Sequence, residues 1–325
     1  MKKQELQFDD ICSLLDINNS ADELYALADE ITKETKGNTV NVRGIIEFSN
    51  YCNRNCAYCG LNCHNTTLGR YRMSPDEIIE TALEASDAGY KTAVLQGGED
   101  PWFTADVFCH IIKEIKSKRD IAITLSAGEM SEEDYAAIRK AGCDRYLLKH
   151  ETTDKDIYSK LHPGYNIDDR LNCLRTLKRL GFETGGGFMI GLPEQTAKTI
   201  ANDLLFIKSV PCDMAGIGPF IPHPETPLKG CDSGSTELTR RAVAIARILL
   251  PDINLPATTS LGVIDKEERN KVFSGGANVI MKKVTPEKYR KLYEIYPVNH
   301  GKIKSVAEER AEINELLASI GKEWD

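Results

Sequence analysis

An α/β barrel of eight parallel strands with helices outside is the fold that three features of this chain predict. From Val42 onward, short apolar runs alternate with amphipathic segments eight times over about 250 residues. Glycines and charged residues collect at the ends of the apolar runs, where a parallel barrel gathers its loops on one face. A chain of 325 residues with 41% hydrophobic content is also long enough to bury one large core.

The elements follow in order. Residues 1–40 read as a helical N-terminal extension, in which Leu24, Leu27, Ala28 and Ile31 recur at helical spacing. Strands are expected near 42–48, 91–95, 120–125, 144–149, 184–190, 213–218, 253–258 and 277–281. Helices are expected near 75–88, 104–117, 131–140, 167–180, 196–209, 235–249 and 265–273. Ser74-Pro75-Asp76-Glu77 is a helix start, with Ser as N-cap and Pro at the first position, and Gly89, Gly142 and Gly181 stand where helices stop. The barrel is assigned to 41–297 and a helical tail packed on it to 298–325, with 286–325 read as two helices.

With 41 Lys plus Arg against 49 Asp plus Glu, the net charge of −8 argues against a nucleic-acid partner, which selects a basic face. No stretch has the length of a signal peptide's apolar region or a membrane span, so a cytoplasmic protein without membrane contact is expected. Ten cysteines in such a chain are read as reduced.

Three of those cysteines carry the chemistry. Cys52, Cys56 and Cys59 stand in Tyr51-Cys-Asn-Arg-Asn-Cys-Ala-Tyr-Cys-Gly60, a C-x3-C-x2-C spacing. Soft thiolates at this spacing suit three irons of a cubane 4Fe-4S cluster and leave the fourth iron open. In proteins with this spacing the open iron binds the amino and carboxylate groups of S-adenosylmethionine (SAM). The competing reading is a zinc knuckle, but zinc signatures pair two C-x2-C units or add histidines, and only Cys63 and His64 follow here. Tyr58, between the second and third cysteines, is placed to stack on an adenine.

The loaded strand ends supply the other candidates. Gly97-Gly98-Glu99 follows a strand: its glycines permit close approach of a ligand, and Glu99 suits an ammonium group. Ser126 ends the next strand. Glu151 and Arg170, an acid and a base on the rim, suit the ribose or ammonium and the carboxylate of SAM, with a salt bridge as the plainer reading. Met214 and Ile221 are expected to wall the sulfonium and adenine, or simply to pack the barrel. His150, His162 and His223 share no metal-ligand spacing and are read as structural or supporting residues.

Two stretches, Cys59-Gly-Leu61 with Arg70-Tyr-Arg-Met-Ser-Pro75 and Val94-Leu-Gln-Gly-Gly-Glu-Asp-Pro101, resemble the biotin-synthase-like branch of the radical-SAM enzymes. Within that branch, four further stretches resemble the FeFe-hydrogenase maturases of the HydE type: Arg145–Thr152, Arg170–Cys173, Gly216–Leu228 and Leu255–Thr259. The resemblance implies a complete barrel around a closed cavity, one 4Fe-4S cluster, and SAM contacts at Glu99, Glu151, Arg170, Met214 and Ile221. It implies a role in building the dinuclear iron subcluster, by attack of a 5′-deoxyadenosyl radical on the sulfur of an iron–carbonyl–cyanide complex that carries cysteine. It further implies work beside the maturases HydG and HydF, with a ferredoxin or flavodoxin as electron donor. Gln96, Thr124, Arg145, Lys149, Thr258, Thr259, Tyr293 and Tyr296 match the family's cavity and anion positions, and arginine and hydroxyl donors fit an anionic complex.

Two departures stand out. Nothing beyond Cys231 is a cysteine, so the second cluster that some members carry is not expected, and Lys149 stands where the family often has Arg. Alternatives are biotin synthase, methylornithine synthase, and a carrier that delivers an iron complex without radical chemistry. Biotin synthase requires further inward cysteines, and a pure carrier has no use for a SAM pocket.

Overall fold

The computed structural model describes residues 6–298 and 306–325. Eight parallel strands form its centre: β1 (Thr39–Ser49), β2 (Thr92–Gly97), β3 (Ala122–Ser126), β4 (Arg145–Leu147), β5 (Glu183–Gly186), β6 (Met214–Ala215), β7 (Pro256–Ala257) and β8 (Val279–Lys283). Hydrogen bonding joins them in the order β6-β5-β4-β3-β2-β1-β8-β7, every pairing parallel. The remaining gap, between β6 and β7, is spanned by the single bridge Met214–Asn254, where Ala215 N donates to Asn254 O (3.1 Å) and Asn254 N to Asp213 O (2.8 Å). A parallel sheet whose ends meet in this way is a nearly closed (βα)8 barrel, as the alternation predicts.

Outside it lie α3 (Pro75–Asp87), α4 (Ala105–Lys118), α5 (Glu132–Lys140), α7 (Ile167–Arg179), α8 (Ala197–Ser209) and α9 (Thr236–Leu249), each within a few residues of its expected span. The reasons are local. Ser74 and Glu77 form a reciprocal capping box at α3, and Thr104, Ser131, Asn166, Thr196 and Ser235 cap the others with their side chains. Gly89, Gly142 and Gly181 follow α3, α5 and α7 with φ of 91°, 109° and 80°, where a side chain would be strained. The first two helices, α1 (Phe8–Leu15) and α2 (Asp22–Lys36), pack against α8 and α9.

Several expectations are corrected. The runs 184–190 and 213–218 each break in two: beyond β5 and β6 the chain resumes as Met189–Ile190 and Gly218–Pro219, which pair with each other. Gly187 (φ 146°) sits at the break with no room for a Cβ, which would lie 2.4 Å from Gly216 O. Periodicity misses such a break because both halves are apolar. Two short helices, α6 (Lys155–Leu161) and α10 (Thr259–Ile264), were not expected. The helix expected at 265–273 is α11 (Lys266–Lys271), and only its last two positions fall in a 3-10 turn, Val272–Ser274. In the tail, α12 (Glu287–Arg290) is one turn and α13 (Val306–Ser319) a full helix, but Glu323–Trp324 is a strand pairing in parallel with the start of β1. The part of the expected tail helices at 299–305 lies outside the described residues. Among the described residues no helix is long and apolar enough to cross a membrane.

The closing bridge is supported by a buried polar network. Arg247, fully buried on α9, donates to Gly276 O (3.0 and 2.8 Å), Pro251 O (2.7 Å) and Asn278 Oδ1 (2.9 Å). Asn278 Nδ2 in turn donates to Asn254 Oδ1 at 2.9 Å. Burial lowers the Arg247 pKa to about 10, so it remains charged at neutral pH. Arg247→Leu leaves those acceptors unpaired and is expected to destabilise the fold by about 3 kcal/mol, measured by chemical denaturation.

Candidate active site

The loop after β1 is long and returns beside its own strand. Met73 N donates to Phe48 O (2.8 Å), Ser49 pairs with Arg72, and Asn50 holds Tyr71 N (2.7 Å), Gly69 O (2.8 Å) and Leu292 O (2.7 Å). One guanidinium organises the interior. Arg70 donates to four carbonyls: Asn50 (2.5 Å), Leu61 (2.9 Å), Asn62 (2.7 Å) and Asn65 (3.1 Å). Ala57 N reaches Leu161 O (2.8 Å) and Gly60 N reaches Ile295 O (3.0 Å), so α6 and the segment before 298 hold the loop from outside. Within this frame Cys52 is close enough to raise the pKa of Cys56, and both raise that of Cys59. Burial is the larger cause, pushing the Cys56 thiol up to about 12 and those of Cys52 and Cys59 upward too. Cys63 is exposed.

Gly97 and Gly98 prove to serve packing. A Cβ on Gly98 would sit 2.2 Å from Tyr51 O and 2.8 Å from Cys52 Cβ, and one on Gly97 would sit 2.5 Å from Phe48 Cζ. Gly-Gly therefore lets the end of β2 lie directly against the cysteine loop. Next to it, Glu99 is gripped by two arginines in a closed ring. Arg54 meets Glu99 (2.5 Å) and Glu129 (3.0 Å), and Arg170 meets Glu99 (3.0 Å) and Glu129 (2.8 Å). Gly128 has φ 84°, and a Cβ there would strike Glu99 Cγ at 1.9 Å, so only glycine completes the ring. Arg54 also lies over the Tyr165 ring at 3.9 Å, and Arg170 donates to Tyr158 Oη (3.2 Å) and Lys149 O (3.2 Å).

Inside the barrel mouth is a cavity of about 340 Å³. It gathers twelve of the expected residues: Tyr58, Cys59, Gln96, Gly97, Ser126, Lys149, Glu151, Ile221, Thr258, Thr259, Tyr293 and Tyr296. Two ion pairs face into it, Lys149–Glu151 (3.0 Å) and Lys283–Glu47 (2.8 Å). Burial pushes the Glu47 carboxyl up, against the pull of Lys283. Glu151 has φ 64°, a conformation unusual for a residue with a side chain, and its loop pairs with Phe188. Gln96 Nε2 donates to Tyr293 Oη at 3.3 Å.

The other expected residues lie elsewhere. Thr124, Arg145 and Met214 stand one layer below the cavity floor, each two positions before a cavity residue of its own strand region (Ser126, Leu147 and Gly216). There Arg145 pairs with Glu183 (2.5 Å) and donates to Thr92 (3.1 Å), and Met214 Sδ accepts from Arg43 Nη1 (3.0 Å). Met214 therefore does not wall the cavity. Arg43 Nε and Thr124 Oγ1 find no partner among the described residues. Gly98 and Glu99 line an outer groove, with Glu129 and Cys173, rather than the cavity.

Sequence reading missed Arg54, Glu129, Arg43, Glu47 and Lys283. The signal for the last three was a charge at an inward position of a barrel strand. Arg54 and Glu129 carried none beyond lying in the cysteine loop and in a loaded strand end. Of the histidines, His150 is buried against Phe188 and Phe206, with Asp203 Oδ1 3.7 Å from Nε2, and burial lowers its pKa to about 3. His223 Nδ1 accepts from Glu225 N (3.1 Å) in the proline loop. His162 Nε2 lies 3.1 Å from the Tyr58 hydroxyl.

The donor set fits a cluster. Among the described residues no three Cys, His, Asp or Glu side chains converge as ligands of a single ion, whereas a cubane takes its thiolates at separate corner irons. Ligation by iron also relieves the unfavourable burial of three thiolates. Cys143, Cys173 and Cys212 lie outside the cavity lining.

A model of the radical SAM superfamily matches residues 46–207. The FeFe-hydrogenase maturase subunit HydE of Thermotoga maritima is 50% identical over 299 residues, 91% of this chain and 86% of that protein. The 3-methylornithine synthase of Methanosarcina acetivorans is 31% identical over 85% of this chain and 79% of its own length. Among solved structures, methylornithine synthase superposes with a TM-score of 0.86 over 99% of this chain and 95% of its own, at 25% identity. The maturase HydG of Carboxydothermus hydrogenoformans shares the fold at a TM-score of 0.83 and 21% identity, over 99% of this chain and 76% of that one. With a cysteine loop, ionic ring and cavity at one barrel mouth, and 50% identity to HydE across 91% of its length, this chain is a radical SAM enzyme and belongs to the HydE family.

Proposed function

We propose that the enzyme cleaves SAM reductively and acts in assembly of the dinuclear iron subcluster of FeFe-hydrogenase, on an iron–carbonyl–cyanide complex that carries cysteine. The observation that supports it best is the convergence of three elements at one mouth: the three-thiol loop, a charge-balanced ring, and a cavity with two ion pairs in its wall. Cys52, Cys56 and Cys59 would hold a single 4Fe-4S cluster. When bound, that cluster supplies the electron that splits SAM into methionine and a 5′-deoxyadenosyl radical. Residues 41–297 would form the catalytic barrel, flanked by the helical extension 1–40 and the tail 298–325.

The ring Arg54–Glu99–Arg170–Glu129 suits the amino-acid end of SAM for a simple reason. Two cations balance two anions, and a zwitterion adds one of each, so the balance is kept. An incoming ammonium can take up Glu99 while the carboxylate takes Arg170, with no unpaired charge left buried. Tyr58, Gly97, Gly98, Ser126, Glu151 and Ile221 would complete the SAM contacts. Deeper in, Gln96, Lys149, Thr258, Thr259, Tyr293 and Tyr296 offer donors to an anionic complex, with Thr124 and Arg145 in the layer below. The radical would add to the cysteine sulfur and so begin breakdown of that ligand. An electron donor such as ferredoxin or flavodoxin, and the maturases HydG and HydF, would be its partners in the cytoplasm. A reading as methylornithine synthase draws on the fold match and 31% identity, against 50% for HydE.

The test is anaerobic reconstitution followed by two assays. Reduced protein with SAM should release 5′-deoxyadenosine. Added with the partner maturases, it should activate apo-hydrogenase, whereas formation of 3-methylornithine from lysine would favour the rival reading. Cys56→Ser should bring 5′-deoxyadenosine below detection, and full activity in that variant would remove the cluster assignment. Arg170→Ala should raise the SAM dissociation constant at least about tenfold with the circular dichroism spectrum unchanged. Unchanged affinity would take Arg170 out of the site.

A further inference from the structure

The short helix α6 touches both halves of the site. Arg170 Nε donates to the hydroxyl of Tyr158 on this helix (3.2 Å). One turn on, Leu161 O accepts from Ala57 N (2.8 Å), and the next side chain, His162, meets the Tyr58 hydroxyl at 3.1 Å through Nε2. Two consecutive residues at the end of α6 thus hold two consecutive residues of the cysteine loop, in the stretch between Cys56 and Cys59.

The protonation of His162 follows from its partners. Nδ1 lies 3.3 Å from Tyr158 O, a carbonyl that only accepts, so Nδ1 carries the proton. In a neutral ring Nε2 then offers a lone pair, and the Tyr58 hydroxyl donates to it. Burial, with the charge of Arg170, lowers the His162 pKa to about 3 and keeps the ring neutral. The imidazole is itself immobilised: it is 2% exposed, stacked on the Tyr158 ring (centroids 4.1 Å apart, 24° between planes) and edge-on to Tyr58 (5.5 Å, 81°). Tyr58 in turn forms part of the cavity wall beside Cys59.

We propose that His162 is a positioning residue for SAM: it anchors the Tyr58 hydroxyl, fixes the aromatic face that Tyr58 presents to the cavity, and couples that face through Tyr158 to Arg170. This rests on the reading of the mouth as a SAM site. An aromatic platform binds a flat ligand best when its orientation is set before the ligand arrives, because the ordering cost is then met in folding rather than in binding. A buried phenol without its acceptor also seeks another partner and turns the ring away from its seat.

The experiment uses reconstituted holoprotein and SAM itself. His162→Phe keeps the stack on Tyr158 but removes the acceptor, Tyr58→Phe removes the donor, and the double variant removes both. Iron and sulfide content, the SAM dissociation constant from equilibrium dialysis, and KM and kcat for 5′-deoxyadenosine release are measured for each. Expected are unchanged cluster content, a rise of about tenfold in both dissociation constant and KM for each single variant, and kcat within about twofold. Because one bond is deleted in every case, the double variant should be no worse than the single ones. His162→Gln, whose amide oxygen can accept, should recover part of the affinity. Wild-type affinity in His162→Phe overturns the proposal, as do fully additive effects or loss of cluster content in place of SAM affinity. If His162→Phe does not fold, wild-type affinity in Tyr58→Phe overturns it alone. A wild-type holoprotein that does not bind SAM would overturn the reading of the mouth itself, a different result from a wild type that binds with variants that match it.

Discussion

The ring of Arg54, Glu99, Arg170 and Glu129 is the constraint on which the rest of the site depends. Its four side chains are between 10% and 17% exposed, so each charge has lost most of its water and relies on its two neighbours. Each comes from a different βα unit: the loop after β1, the end of β2, the end of β3 and the first turn of α7. Closing the ring therefore fixes four consecutive units of the barrel against one another at the height of the cysteines. Removing one member leaves two like charges sharing a single partner, with one net charge uncompensated, which is why such rings are costly to break even where their net contribution to stability is small.

The layers below follow from the same economy of charge. A barrel interior is ordinarily filled by branched apolar side chains. Here three inward positions of β1 and β8 carry Arg43, Glu47 and Lys283, and Lys149 follows two residues after β4. Glu47 and Lys283 neutralise each other in the cavity wall, as do Lys149 and Glu151. Arg43 lies in a layer with Arg145, Glu183 and Asp213, and burial lowers its pKa to about 10. The cavity wall thus sets paired charges and hydroxyls among apolar side chains such as Val94, Leu147, Phe220 and Met281, so it can hold a guest with both polar and apolar parts.

Much of this was legible in the sequence. The C-x3-C-x2-C spacing, the Ser74 N-cap with Pro75 after it and the eightfold alternation are local features, and local features survive folding. Gly97-Gly98 was legible as a close approach, but its partner proved to be the cysteine loop. The ring was not legible, because Arg54 and Glu129 meet across 75 residues and nothing local marks the encounter; only Gly128, with its forced φ, leaves a trace. Height within the barrel was also hidden. Period-two alternation tells that Thr124, Arg145 and Met214 face inward, yet not that they sit one layer beneath the cavity. The breaks at Gly187 and Gly216 were masked by apolar residues on both sides.

The central claim is that the three thiols leave one iron open to SAM. Electron paramagnetic resonance of the reduced, anaerobically reconstituted protein, recorded before and after addition of SAM, tests it most directly. The account predicts the signal of a reduced 4Fe-4S cluster whose g-values change when SAM is added. A signal indifferent to SAM, or a protein that assembles no cluster, would contradict it.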